Sequence, residues 1–303
     1  MNPKKITPCI WFDNEAEEAV QFYTSLFSDS KIDKITRFTD EGTDIHGMEA
    51  GTVMTVGFQL GGQPFTALNG GPHFKVNPCI SFFVMCETVQ EVDHLWSSLL
   101  PNGKVMFELD KYPWSEKYGW LQDQYGVSWQ ISAGKIEDVG QKITPTLMFV
   151  NDQFGNAEEA IEHYTSIFKN SEVDGILRYG PDEEGPKGLV KHAQFKLEDG
   201  KFMIMDGPGE HEFDFNEGIS LVVHCNSKEE VDYYWEKLNQ GGDPKAQQCG
   251  WLKDKYGVSW QVVPTELYKM LDDDNTEKVK RVTKVMLQMK KLDLNKLREA
   301  YDG

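Results

Sequence analysis

Positive charge is scarce in this 303-residue chain: 31 Lys and Arg stand against 49 Asp and Glu, for a formal charge of -18. Through residue 264 no basic cluster rises above that acidic background, so a phosphate backbone would be repelled and no nucleic-acid partner is expected. Apolar runs are too short for a membrane-spanning helix. The opening Met-Asn-Pro-Lys-Lys meets Asp13 and Asn14 too soon for a signal peptide. Cysteine is sparse as well. Cys9, Cys79, Cys86, Cys225 and Cys249 form no CxxC pair, which argues against a disulfide frame or a zinc knuckle and suits reduced thiols in a cytoplasm. Neither a P-loop pattern nor a G-x-S-x-G elbow occurs, and no glycine-rich turn joins a strand to a helix, so nucleotide, hydrolase and S-adenosylmethionine chemistry lose support.

What is there is apolar material and repetition. Hydrophobic residues make up 39% and aromatics 12% of the chain, enough for a globular protein, and its length favours more than one domain. GWLQDQYGVSWQ at Gly119–Gln130 recurs as GWLKDKYGVSWQ at Gly250–Gln261. ITPCIWF at Ile6, AEEAVQFYTSLF at Ala16 and EVDHLW at Glu91 recur in the same order at Ile143, Ala157 and Glu230. Collinear matches of this kind mark a tandem duplication. The copies span 1–135 and 143–264, with a connector near 134–142 and a tail over 265–303.

Each copy predicts two βαβββ units. Ala16, Ala19, Val20, Tyr23, Leu26 and Phe27 fall on one helical face, and Ala157 to Phe168 repeat it. Thr88 with Glu91, and Ser227 with Glu230, read as capping boxes. Period-2 alternation at Val127–Ser132 gives a strand with one core face, and the preceding Asp-x-Tyr-Gly supplies a turn. In the tail, Val282, Val285, Met286, Met289 and Leu292 follow helical spacing, and Asp272–Asp274 read as a solvated helix end.

At the AEEA-x-x-x-Y-x-S-x-F helix and the CGWLKDKYGVSWQVVP segment the chain resembles the vicinal-oxygen-chelate (glyoxalase/bleomycin-resistance) superfamily, in particular its PhnB-like branch, often labelled demethylubiquinone methyltransferase. The resemblance covers nearly all of 5–264. It implies an α+β fold of two tandem domains, each of two βαβββ modules, whose curved mixed sheets form cups with helices outside and a small molecule or metal within. It also implies where metalloenzymes of the superfamily take their ligands: the first strand, the fourth strand, the fifth strand and the last strand. Those places hold Thr7, the segment 65–68, Ser81 and Gln130 in the first copy, and Thr144, the segment 202–205, Ser220 and Gln261 in the second. Hydroxyls and amides are poor ligands for a divalent cation, so no metal and no cofactor is expected.

The expectation is a metal-free small-molecule-binding protein with two inequivalent cups. Ligand-binding candidates are Thr7, Trp11, Ser81, Phe83, Trp120 and Gln130, with Thr144, Met148, Ser220, His224, Trp251 and Gln261. Met85 and Cys9 share those faces; a nucleophilic role for Cys9 needs a nearby base. Arg37 and Arg178, at matching places, are candidates for a ligand anion or for solvated edge positions. His224 with Asp206 is a weaker metal candidate, and His192 and His211 read as structural or surface residues. The fused copies are expected to pair as an intrachain pseudo-dimer, with a homodimer left open. Two alternatives stand beside this reading: a divalent-metal lyase, isomerase or dioxygenase, and a non-catalytic scaffold.

Overall fold

The computed structural model describes residues 4–303. The first copy starts with β1 (Ile6–Phe12), α1 (Ala16–Leu26), β2 (Lys31–Arg37), a short α2 (Thr43–His46), β3 (Val53–Leu60) and β4 (Gln63–Asn69). Its second module is β5 (Ile80–Cys86), α3 (Val89–Leu99), β6 (Lys104–Tyr112), β7 (Ser115–Gln122) and β8 (Ser128–Ala133). A connector helix, α4 (Ile136–Val139), leads to the second copy: β9 (Ile143–Phe149), α5 (Ala157–Ile167), β10 (Glu172–Arg178), β11 (Val190–Leu197) and β12 (Gly200–Asp206). The fourth module is β13 (Ile219–Cys225), α6 (Lys228–Asn239), β14 (Asp243–Gln248), β15 (Trp251–Lys253) and β16 (Ser259–Pro264). The tail is not one helix but three, α7 (Thr265–Met270), α8 (Thr276–Leu287) and α9 (Leu294–Asp302).

Two eight-stranded, curved, mixed sheets result, and each takes one module from either copy. Sheet A runs β14-β15-β16-β13-β1-β4-β3-β2; sheet B runs β10-β11-β12-β9-β5-β8-β7-β6. The copies meet along antiparallel β1–β13, with Cys9 opposite Ser220, and antiparallel β5–β9, with Ser81 opposite Thr146. These two pairings cover four strand edges that would otherwise be exposed. The reading that assembled Thr7 with Ser81 and Gln130 along one copy is therefore corrected: Thr7 belongs with Ser220 and Gln261, and Thr144 with Ser81 and Gln130.

Alternation along the central strands decides what each face does. Ile6, Ile10 and Phe12 of β1 turn to the helical side and join the large core, as do Ile143, Leu147 and Phe149 of β9. On that side the two modules of one copy pack together. Trp129 is fully buried, with its ring 5.3 Å from Tyr23 and 5.4 Å from Phe82. The Asp-x-Tyr-Gly turn contributes more than a bend. Buried Asp123 accepts from the amides of Tyr125 and Val127, from the Tyr23 hydroxyl at 2.7 Å and from the Trp129 indole at 2.8 Å. Asp254 repeats all four bonds with Tyr256, Val258, Tyr164 and Trp260. Burial outweighs these donors and raises both carboxyls to about 6. Gly126 and Gly257, at φ +82° and +87°, let the chain close over the carboxylate.

The capping boxes form as the sequence indicates. Thr88 Oγ1 accepts from the Glu91 amide and Ser227 Oγ from the Glu230 amide, while the two glutamates bond the amides of Glu87 and Asn226. The same glutamates also bind across copies, Glu91 to Lys142 at 2.5 Å and Glu230 to Lys5 at 2.8 Å.

Candidate ligand site

The concave faces carry the even-spaced residues that the helical core leaves free. In sheet A these are Thr7, Cys9 and Trp11 of β1, Ser220, Val222 and His224 of β13, and Gln261 of β16. Thr7 Oγ1 bonds His224 Nε2 at 2.8 Å, and Gln261 Nε2 donates to Ser220 Oγ at 2.9 Å. Both pairs span the seam between copies or strands, so each proposed polar group has found a protein partner. Trp11 donates to Gly71 O at 2.7 Å and meets the Trp251 ring edge-on at 5.9 Å.

This face is covered by the tail. Cys9, Val222 and Val263 form one buried cluster with Leu267, Met270, Val282, Met289, Leu292 and Leu297. The tail is tied down by main-chain bonds from Cys249 N to Met289 O and from Gly250 N to Lys290 O, and by ion pairs of Asp272 with Lys34 and Asp40 with Lys280. Tyr268 OH bonds His224 Nδ1 at 3.1 Å, so the imidazole is held between strand and tail. Burial, then the nearby Lys5 charge, lowers His224 to about 4, and it is neutral near pH 7. Burial likewise raises the Cys9 thiol to about 11, which leaves too little thiolate for a nucleophile.

Sheet B carries the homologous row without that cover. Gln130 Nε2 donates to Ser81 Oγ at 2.9 Å, matching Gln261 and Ser220. Tyr118 OH donates to Gln130 Oε1 at 2.8 Å, and the Trp120 indole to Ser128 Oγ at 2.6 Å. Thr144 is reached by Gln141 Nε2 at 3.2 Å. Met85, Met203 and Val139 cluster with partly buried Phe83 and Ile136, so the short α4 lies over one part of the face. Elsewhere Phe83, Trp120 and Met205 remain partly accessible, and at the rim Phe107, which pairs with Trp120, is 48% exposed. The stacked Tyr112 and Trp114 rings stand beside Tyr118, with Trp114 58% exposed.

One substitution between the copies accounts for part of the contrast. Tyr118 corresponds to Cys249, whose Sγ lies 3.5 Å from Met286 O of the tail. The smaller side chain leaves that place to the tail turn, and Gln261 loses the phenol that Gln130 has.

Other candidates move apart. Arg178 forms a two-pronged pair with Glu158 at 2.6 Å, and Arg37 donates to Gly51 O, so both serve edge structure. Asp206 sits in sheet B, where it accepts from the amides of Gly155, Ala157 and Val190, whereas His224 is in sheet A; they cannot share a metal. Among the described residues no group of three or more His, Cys, Asp or Glu side chains converges. The family's metal positions fit a cation poorly here: Gln130 has both ends of its amide engaged, and its neighbours are hydroxyls. The residues that sequence reasoning missed, Tyr118, Met203, Met205 and Phe107, follow from strand alternation only once the register is known, and bulges in β6–β7 hide it.

A family model described as 3-demethylubiquinone-9 3-methyltransferase matches residues 4–132 and again 141–263. Among solved structures, the PhnB protein of Bacillus cereus is 40% identical, over 43% of this chain and 100% of its own, with a TM-score of 0.40. Glyoxalase I from Zea mays shares 13% identity over 90% of this chain and 96% of its own, with a TM-score of 0.57. A Bacillus subtilis protein described as a dioxygenase shares 11% identity over 86% of either chain, with a TM-score of 0.50. No match was found among curated protein sequences. The fold is thus glyoxalase-like, with added C-terminal helices, and by a family match that covers both copies the chain belongs to the PhnB-like family described as 3-demethylubiquinone-9 3-methyltransferase.

Proposed function

We propose that this protein binds a small molecule, without a metal, on the concave face of sheet B. The observation that carries the reading is the asymmetry of cover. The tail packs on Cys9, Val222 and Val263 of sheet A and leaves Trp11, Trp251 and Gln261 beside it partly accessible, while sheet B has no tail above it and keeps Phe83, Trp120 and Met205 partly accessible below the Phe107 rim. Apolar and aromatic walls with a few fixed polar groups are the make-up of small-molecule sites. The donor set supports binding over metal-dependent catalysis, since Ser81, Thr144, Gln130 and Tyr118 supply no charged ligand; Ser81, Gln130 and Tyr118 satisfy one another and Thr144 is bonded by Gln141. The family's methyltransferase name finds no support in the local geometry. The first β-to-α turn of either copy reads Asp-Asn-Glu or holds the single Gly155, and neither forms a glycine-rich cradle.

In this reading the two copies do in one chain what two subunits would do, and five free cysteines, four of them buried, suit a reducing cytoplasm. The test is elemental analysis of protein purified without chelator, together with a thermal-shift screen of neutral aromatic and aliphatic compounds. We expect substoichiometric metal and stabilisation by a subset of the aromatics. One divalent ion per chain would overturn the metal-free reading, and a screen in which nothing stabilises would favour a scaffold.

A further inference from the structure

Of the polar side chains on the concave face of sheet B, His192 stands apart. It lies on β11 two residues from Gln194, whose amide donates to Val139 O of α4 and so fixes which face these positions share. Leu177 is its cross-strand partner, and the β11–β12 register places Met205 beside it. The side chain is half-buried, and among the described residues neither ring nitrogen bonds a protein group, so both are left to solvent or to a ligand. The duplicated sheet gives the comparison directly. At the same cross-strand pair sheet A has Thr36 opposite Thr55, with their hydroxyls bonded at 2.6 Å. Leu177 in place of Thr36 removes the partner, and an imidazole without a protein partner faces the cup.

Several other polar groups on this face are already engaged: Gln130 at both ends, Trp120 with Ser128, Ser132 with Ser115, and Gln194 with Val139 and Asp174. Lys201 is held by Asp174. Across the sheet from His192 the register brings the thioethers of Met205 and then Met148, with Met203 the next residue along the same face of β12. Thioethers pack favourably against aromatic rings.

Resting on the reading of sheet B as the ligand site, we infer that His192 is its recognition residue and that the ligand is an uncharged aromatic molecule with one hydrogen-bonding group. Burial lowers the His192 pKa, so the ring is neutral at pH 7 and offers one donor and one acceptor. A carboxylate on the ligand would lose its hydration here.

Three probes separate the possibilities on the full chain: 2-naphthol, naphthalene and 2-naphthoate, titrated at pH 7 against wild type, His192→Phe and His192→Gln. For wild type the expected order is naphthol about tenfold tighter than naphthalene, as one buried hydrogen bond provides, with naphthoate weakest. His192→Phe should bring naphthol and naphthalene together while both still bind, and His192→Gln should restore part of the naphthol preference. A naphthol preference unchanged in His192→Phe, or naphthoate binding tightest, overturns the role of His192 and leaves the cup standing. If none of the three binds, the cup reading falls with it.

Discussion

Ser220 and Gln261 in sheet A, and Ser81 and Gln130 in sheet B, make the same 2.9 Å hydrogen bond at the floor of the two concave faces. Above the first lie Met270, Met289 and Leu292 of the tail; above the second rise Tyr118, Trp120 and the Phe107 rim. Duplication supplied two equal floors, and the chain then treated them differently. Cys249 and His224 suit a face closed by protein, where Tyr118 and Met85 stand at the matching positions of the open one. On the covered face the Tyr268 hydroxyl bonds His224, while Ser259 Oγ is buried without a partner. The open face keeps one imidazole without a partner.

The largest expected effect tests what the copies still share. Asp123→Ala and Asp254→Ala each leave four donors without their acceptor, two of them on fully buried aromatic rings, and each should cost about 4 kcal/mol in urea unfolding. Unequal losses would show that the helical cores have diverged along with the cups. Next comes the cover itself. Val282 is fully buried in the tail cluster, so Val282→Asp should cost about 3 kcal/mol and turn Cys9 reactive toward a thiol reagent. Stability and Cys9 labelling both unchanged would mean the tail is not what closes sheet A.

Exchanging the residue that differs should sharpen the contrast further. Cys249→Tyr puts the phenol of sheet B where the tail turn now passes, with an expected cost of about 1–3 kcal/mol from overpacking. Tyr118→Cys should cost about 1 kcal/mol, the value of its bond to Gln130. An effect of similar size is in pH. His224 titrates at about 4 in the folded chain, below its ordinary 6.5, so the folded state binds fewer protons between those values. Stability is therefore full above pH 6.5 and falls as the pH drops toward 4, by about 1–2 kcal/mol between pH 6.5 and 5. Asp123 and Asp254, raised to about 6, act in the opposite sense over pH 6 to 4, and a difference between wild type and His224→Met cancels them. If both proteins show the same pH profile, the buried-histidine account fails.

Much of this architecture was legible in the sequence because it is local. The 3.6-residue spacing of α1 and α5, the two capping boxes and the alternation in β1 and β8 depend on neighbours a few residues apart. The exchange of modules between sheets was not, since β1 pairs with β13 some 200 residues away, and the repeat alone is equally consistent with cups built within one copy. For the same reason the polar rows were found, but the residues of each were drawn from the wrong partner module. The tail's apolar spacing showed that it packs, while its target, the face bearing Cys9, depends on the folded surface. His192 read as structural because its meaning lies in what Leu177 fails to offer across the strand.

Methionine methyl groups mark the two faces separately: Met85, Met148, Met203 and Met205 line sheet B, and Met270, Met286 and Met289 lie in the tail over sheet A. Titration of 2-naphthol into protein carrying ¹³C-methyl methionine reads both at once. The account predicts shifts confined to the sheet B set; shifts in Met270, Met286 or Met289 with the sheet B set unmoved would contradict it.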